Sequence, residues 1–218
     1  MRIAIDVNGV LRDTIGKIKQ IYEKTYLSEL SEYKDETQKI FEVSDSGDLT
    51  EIQENETFSY GISEPISSLN LMDFFNFKNE DEYYQFLYEE FPMQIFGHAQ
   101  STELSTFIDF NNFYQDNREN HEILIVSDEI GKSKPATLFF ISKFGCLTEK
   151  VKFFSKTTEK SLWDEIDVLL TANPDLLLNY PKDKVVIKYE TSYNQDIESN
   201  LSIKELKELE STLKKLIK

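Results

Sequence analysis

Ile3-Ala4-Ile5 is a β-branched run too short for a helix; it ends at Asp6, and Gly9 allows the chain to turn. A helical period then takes over. Ile15, Ile18, Ile21, Tyr22, Tyr26 and Leu30, with lysines between them, predict a helix over 14–30 behind the first strand. Residues 31–57 are polar and acidic, with a loop at Ser44-Asp45-Ser46-Gly47-Asp48, and read as a surface excursion, partly mobile. From 58 to 97 the chain turns aromatic, through residues such as Phe58, Tyr60, Phe74, Phe75, Tyr84, Phe86, Tyr88 and Phe96. Asn79, followed by Glu80, Asp81 and Glu82, is an N-cap with an acidic first turn, predicting a helix from about 80 to 90 that stops before Pro92.

The second half alternates. Leu104, Phe107, Ile108 and Phe113 predict a helix over 103–114, and Glu122 to Val126 a strand closed by Ser127. A helix over 135–144, with Gly145 as its stop, leads to a strand at 151–154. A polar turn and Trp163 then lead to a strand at 166–170, and a fifth follows at 185–187. Alternation of this kind calls for a parallel, doubly wound α/β sheet of about five strands. At the C-terminus Ser202-Ile203-Lys204-Glu205 reads as a capping box, and Leu206, Leu209, Leu213 and Leu216 follow at heptad a/d spacing. The repeat is short for an independent coiled coil, so packing on its own domain is the first expectation and a partner contact the sharper one.

Ligands of parallel sheets bind at the strands' carboxyl ends, which makes Asp6 the first candidate for chemistry. Ser127 closes the second strand, Lys132-Ser133-Lys134-Pro135 opens a helix, and Leu170-Thr171-Ala172-Asn173-Pro174-Asp175 runs from a strand into a turn. This order, over roughly the first thirty residues and 120–190, resembles the haloacid dehalogenase-like superfamily. The resemblance implies a three-layer Rossmannoid core at 1–30 and 101–218, and a mostly helical, aromatic insertion at 31–100 placed as a cap. It also implies that Asp6 is the nucleophile of phosphoryl transfer, that Ser127 orients the phosphoryl group, and that Lys134, with Lys132 as runner-up, neutralises charge.

The chain departs from that pattern. Asn8 stands where the family has its acid/base Asp, and an amide cannot carry a proton to a leaving alkoxide. Thr171 and Ala172 stand where acids would hold Mg2+, and that ion is usually held by one or two carboxylates plus substrate phosphate. Asp6 and Asp175 remain as weak metal candidates, with Asp128 as another substitute. Asn173-Pro174-Asp175 is also what a helix start looks like, and Asp128 and Glu129 read as solvated loop acids. A frame that has kept Asp6, Asn8, Ser127 and Lys134 as vestiges is the first expectation, with no cofactor. A Mg2+-dependent phosphohydrolase or nucleotidase, and a phosphate or nucleotide sensor without turnover, are the alternatives.

Composition narrows the partners. The net charge of −16 over 218 residues argues against binding along a nucleic-acid backbone and favours protein partners with a basic surface, or self-assembly. The 16 Phe and 11 Tyr supply a core and also suit contact surfaces, so the insertion reads as a subdomain core, a substrate lid or a partner-binding face. One cysteine, Cys146, excludes an internal disulfide, and two histidines are too few for a metal cluster. No apolar run approaches a membrane span and Asp6 interrupts a signal-peptide reading, so a cytoplasmic protein is expected. The heavy use of Asn, Lys, Ile and Glu, the aromatic insertion and the altered site together make the chain similar to components recruited into tailed-phage particles. That resemblance implies a structural or adaptor role in a virion.

Overall fold

In the computed structural model, which describes residues 1–28, 41–43, 49–51 and 59–216, Asp6 ends a central strand of a six-stranded sheet. The strands and helices run β1 (Arg2–Asp6), α1 (Thr14–Tyr22), β2 (Phe41–Val43), β3 (Leu49–Glu51), α2 (Glu80–Tyr84), α3 (Thr106–Asn117), β4 (Glu122–Asp128), α4 (Ser133–Lys143), β5 (Val151–Phe154), α5 (Glu159–Glu165), β6 (Val168–Thr171), α6 (Pro174–Leu178), β7 (Val185–Tyr189), β8 (Ser202–Ile203) and α7 (Leu209–Leu216). The sheet order is β5-β4-β1-β6-β7-β8, and every pairing is parallel. The chain leaves β1 on one side for β4 and β5, then returns to β6 on the other. The ends of β1 and β6 therefore flank the topological switch point, where a crevice forms in sheets of this kind.

Alternation along the strands sorts the core into two layers. Ile3 and Ile5 of β1, with Ile123 and Ile125 of β4, face α3, α4 and α7, where Phe110, Phe140 and Leu209 are buried. Ala4, Leu124 and Val126 face the other way, onto Leu162 and Trp163 of α5 and Leu176 of α6. The insertion carries a third core, in which Tyr22 at the end of α1 packs against Tyr26, Phe75, Phe77 and Phe86 at ring-centroid separations of 4.9, 5.2, 5.1 and 6.1 Å. Offset and edge contacts of this sort add stabilisation beyond the area they bury.

Several expected boundaries move for local reasons. The helix at 80–90 has its Asn79 cap, which accepts from the Glu82 N–H at 2.9 Å, but it relaxes into a π-turn over Gln85–Glu90. The first helix likewise passes into a π-turn at Glu23–Leu27. Within the polar excursion, β2 and β3 pair antiparallel, while the Ser44–Asp48 loop lies outside the described residues. Between the polar turn and the next strand, where no helix was expected, Trp163 belongs to a helix, α5. The sheet has a sixth strand: Ser202 and Ile203 pair with β7 instead of capping a helix, and the capping box sits at Glu205 and Glu208. Leu206, Leu209 and Leu213 are buried in the protein's own core and Leu216 packs against it, so these leucines are not a contact surface. Among the described residues no helix is long and apolar enough to cross a membrane.

Candidate functional site

A cleft of about 1040 Å3 lies between the carboxyl edge of the sheet and the insertion. Asp6, Asn8 and Gly9 form part of its floor, and Leu69, Tyr83, Tyr84 and Tyr88 line it from the insertion. Gly9 has φ +78, in the left-handed region that favours glycine, and a Cβ there would fall 1.9 Å from the Tyr193 hydroxyl. The turn after β1 is thus tight both by conformation and by the close approach of Tyr193.

Asp6 is 2% exposed. Its Oδ2 accepts from the Thr171 hydroxyl at 2.7 Å and its Oδ1 from the Asn8 N–H at 3.2 Å. Burial pushes its pKa up to about 7; those two donors oppose the shift, Asp128 adds to it and Arg12 opposes it. Thr171 therefore does more than omit an acid: it supplies a neutral donor to the carboxylate beside it. Ala172 is fully buried, and its methyl lies 2.9 Å from where a Cβ on Gly9 would stand.

On the other side of β1 lies a dry polar network that sequence reasoning missed. Arg12 and Glu129 form an ion pair, and both side chains are 0% exposed. The guanidinium also donates to the Phe96 carbonyl (2.8 Å), Thr137 Oγ1 (2.7 Å), Thr14 Oγ1 (3.2 Å) and Asn8 Oδ1 (2.6 Å). It lies 5.0 and 5.4 Å from the ring centroids of Phe96 and Phe140. Glu129 is consequently no solvated loop acid. Its Oε1 accepts from Thr137 at 3.1 Å and Ser127 at 3.3 Å, and lies 3.5 Å from Asn8 Nδ2; its Oε2 is buried without a hydrogen-bond partner among the described residues.

This network accounts for Asn8. Its amide oxygen accepts from Arg12 and from Thr14 at 2.7 Å, while its Nδ2 donates to Ser127 Oγ at 3.3 Å and faces Glu129. A carboxylate here would set a second negative charge against Glu129 with no donor to offer it. Ser127 is wholly buried and directed into the same network, away from the cleft.

The predicted lysines lie elsewhere. Lys134 is exposed, its ammonium 5.8 Å from the Phe153 ring centroid, and it is not a partner of Asp6. Lys132 pairs with Glu89 at 2.5 Å. The lysines that reach the cleft are Lys204 and Lys156, the latter on the turn after β5 together with Ser155 and Thr157. The signal for Lys156 was a cation two residues past the end of a predicted strand, on the edge of the sheet where Ser127 was a candidate.

Asp175 is the acidic first turn of α6: Asn173 Oδ1 accepts from its N–H at 2.9 Å and Pro174 opens the helix. It also lines the cleft, as does half-buried Asp128, the last residue of β4. The pKa of Asp128 is pushed up to about 6, first by burial and then by Glu129, with Lys156 opposing and Glu159 and Asp175 adding to the rise. Seven carboxylates (Asp6, Asp13, Glu64, Glu103, Asp128, Asp175, Glu190) and two lysines (Lys156, Lys204) line the cleft.

A Mg2+ ion at the floor would compete with donors already in place, since each Asp6 oxygen accepts one hydrogen bond and the amide oxygen of Asn8 is held by Arg12 and Thr14. Among the described residues no group of three or more His, Cys, Asp or Glu is arranged to hold a metal ion. The fold and floor define an α/β protein with a Rossmann-like parallel sheet and a cleft at its switch point. No family model and no curated protein matches the chain.

Proposed function

We propose that the protein is a noncatalytic structural or adaptor subunit on a haloacid dehalogenase-like frame, acting by contact with other proteins. The observation that carries this reading is the state of Asp6. A carboxylate that attacks phosphorus must be ionised and accessible, whereas Asp6 is buried, holds its proton up to about pH 7 and has both oxygens engaged. Asn8 and Ser127, the residues that would assist it, are tied into the Arg12–Glu129 network. Function belongs to the site rather than the fold, and this site holds itself together. The acidic surface suits a basic partner, and a virion is one assembly in which such a subunit would serve.

The test is hydrolysis of an aryl phosphate with Mg2+, comparing the protein with its Asp6→Asn variant. Equal background rates are expected; turnover that requires Mg2+ and vanishes in the variant would reject the proposal. One observation favours a second reading, a phosphohydrolase: Lys156 and Asp6 line the same cleft, a cation and a nucleophile at one sheet edge. The same assay decides between them.

A further inference from the structure

At about 1040 Å3 the cleft lies at the upper end of the ~300–1,000 Å3 usual for a small-molecule site, and its charge has the wrong sign for phosphate. Most of its acids are already used. Asp13 caps α1 through the Gly16 N–H, Glu64 pairs with Lys19, Glu103 accepts from the Tyr189 hydroxyl, and Glu190 faces Lys204 at 3.9 Å. Asp128 and Asp175 are different. Neither carboxylate accepts a hydrogen bond or forms an ion pair among the described residues, and each lies in the other's field. The strongest anion-binding group nearby, Arg12, is sealed beneath the floor. Lys156 lies in the field of Asp128, so one cation stands against two carboxylates and the local balance favours a cationic occupant.

The insertion supplies the rest of a cation's environment. Tyr84, 51% exposed, and Tyr88 present rings 5.6 Å apart, and Ile66 and Leu69 add apolar surface beside them. Tyrosine faces attract ammonium and guanidinium groups, and an alkyl stem lies along apolar surface while its charged head reaches for an acid.

We propose that the cleft is a docking groove for a basic segment of a protein partner, which inserts a lysine or arginine side chain between the tyrosine wall and the carboxylates of Asp128 and Asp175. This rests on the contact reading above and names its chemistry: charge complementarity selects a cationic occupant, and the tyrosine and apolar wall beside the acids suits a basic side chain with an alkyl stem, carried by a polypeptide. The chain's charge of −16 steers such a partner inward.

The test is titration of a capped hexapeptide containing two lysines, alongside spermidine and inorganic phosphate, followed by calorimetry at low salt. The peptide is expected to bind and to weaken roughly tenfold in Asp128→Asn/Asp175→Asn. The control, Asp116→Asn/Glu119→Gln at the end of α3, removes the same charge from the opposite edge of the sheet and is expected to change affinity less than about twofold. Equal weakening in both double variants would reduce the effect to bulk charge. Spermidine binding as tightly as the peptide would make the groove a small-cation pocket, and phosphate binding in place of the peptide would reverse its sign; each of these overturns the proposal. Mg2+-dependent hydrolysis is read separately, so loss of peptide binding without turnover sinks the groove and leaves the contact reading standing.

Discussion

The two sides of the β1 end make opposite use of charge. Toward β4, Arg12 and Glu129 are enclosed, paired and surrounded by donors and acceptors from four segments of chain. Toward β6 and the cleft, Asp6 is held by one hydroxyl and one backbone N–H, and the carboxylates of Asp128 and Asp175 have no hydrogen-bond or ion-pair partner among the described residues. The same strand tip thus has its cation committed internally on one side and its anions left over on the other. A buried charge with its partner is tolerated, whereas one without it is not, so the first side is structural and the second is where binding energy is available.

The largest effect tests the dry side. Arg12→Met or Glu129→Gln alone should cost about 3–5 kcal/mol in urea unfolding, because each leaves the other charge or its donors buried and unmet. The double variant Arg12→Met/Glu129→Leu should cost clearly less than the sum, and additive losses would mean the two groups are not coupled. Next is Gly9→Ala, which must adopt φ +78 and displace the Tyr193 hydroxyl, at about 1–3 kcal/mol in the same measurement.

The cleft side should respond with the opposite sign. The raised pKa of Asp6 means that the native state keeps a proton which the unfolded chain has lost. Its contribution to stability is therefore full below the ordinary carboxylate range and is lost as pH rises to about 7. Asp6→Asn should accordingly raise stability at pH 8 by about 1–3 kcal/mol, change little at pH 4, and flatten the thermal-melt profile between them. A destabilised variant at pH 8 would show that the carboxylate is needed in its charged form. The smallest effect is Thr171→Val, which removes the hydroxyl from Asp6 Oδ2, should cost about 1 kcal/mol and should move the Asp6 titration seen by NMR further upward.

The parallel sheet was legible because β1, β4, β6 and β7 are short apolar runs with β-branched residues, separated by helical periods. β8 was not, since two residues carry no periodicity and only Ile203 is buried. α5 has seven residues, too few for a helical period to stand out, and Trp163 alone did not reveal it. At the site, Asp6 and the Asn173-Pro174 helix start were readable as local chemistry. The Arg12–Glu129 pair was not, because its members are 117 residues apart in sequence. One clue was present: Arg12 follows Val10 and Leu11, so a charge stands at the end of an apolar turn where it must find a partner. The lysine assignment failed for a related reason, since proximity to the helix after β4 does not determine which strand end a long side chain overhangs.

One contact of Arg12 reaches beyond the floor. By donating to the carbonyl of Phe96, in the last turn before the insertion rejoins the sheet, the guanidinium fastens that junction with a bond no water can replace. A hinge at this point would have to break a charged hydrogen bond in the interior, which opposes movement of the tyrosine wall away from the strand tips. The bond thus favours an entrance already shaped before anything enters, with acids and tyrosines at its rim.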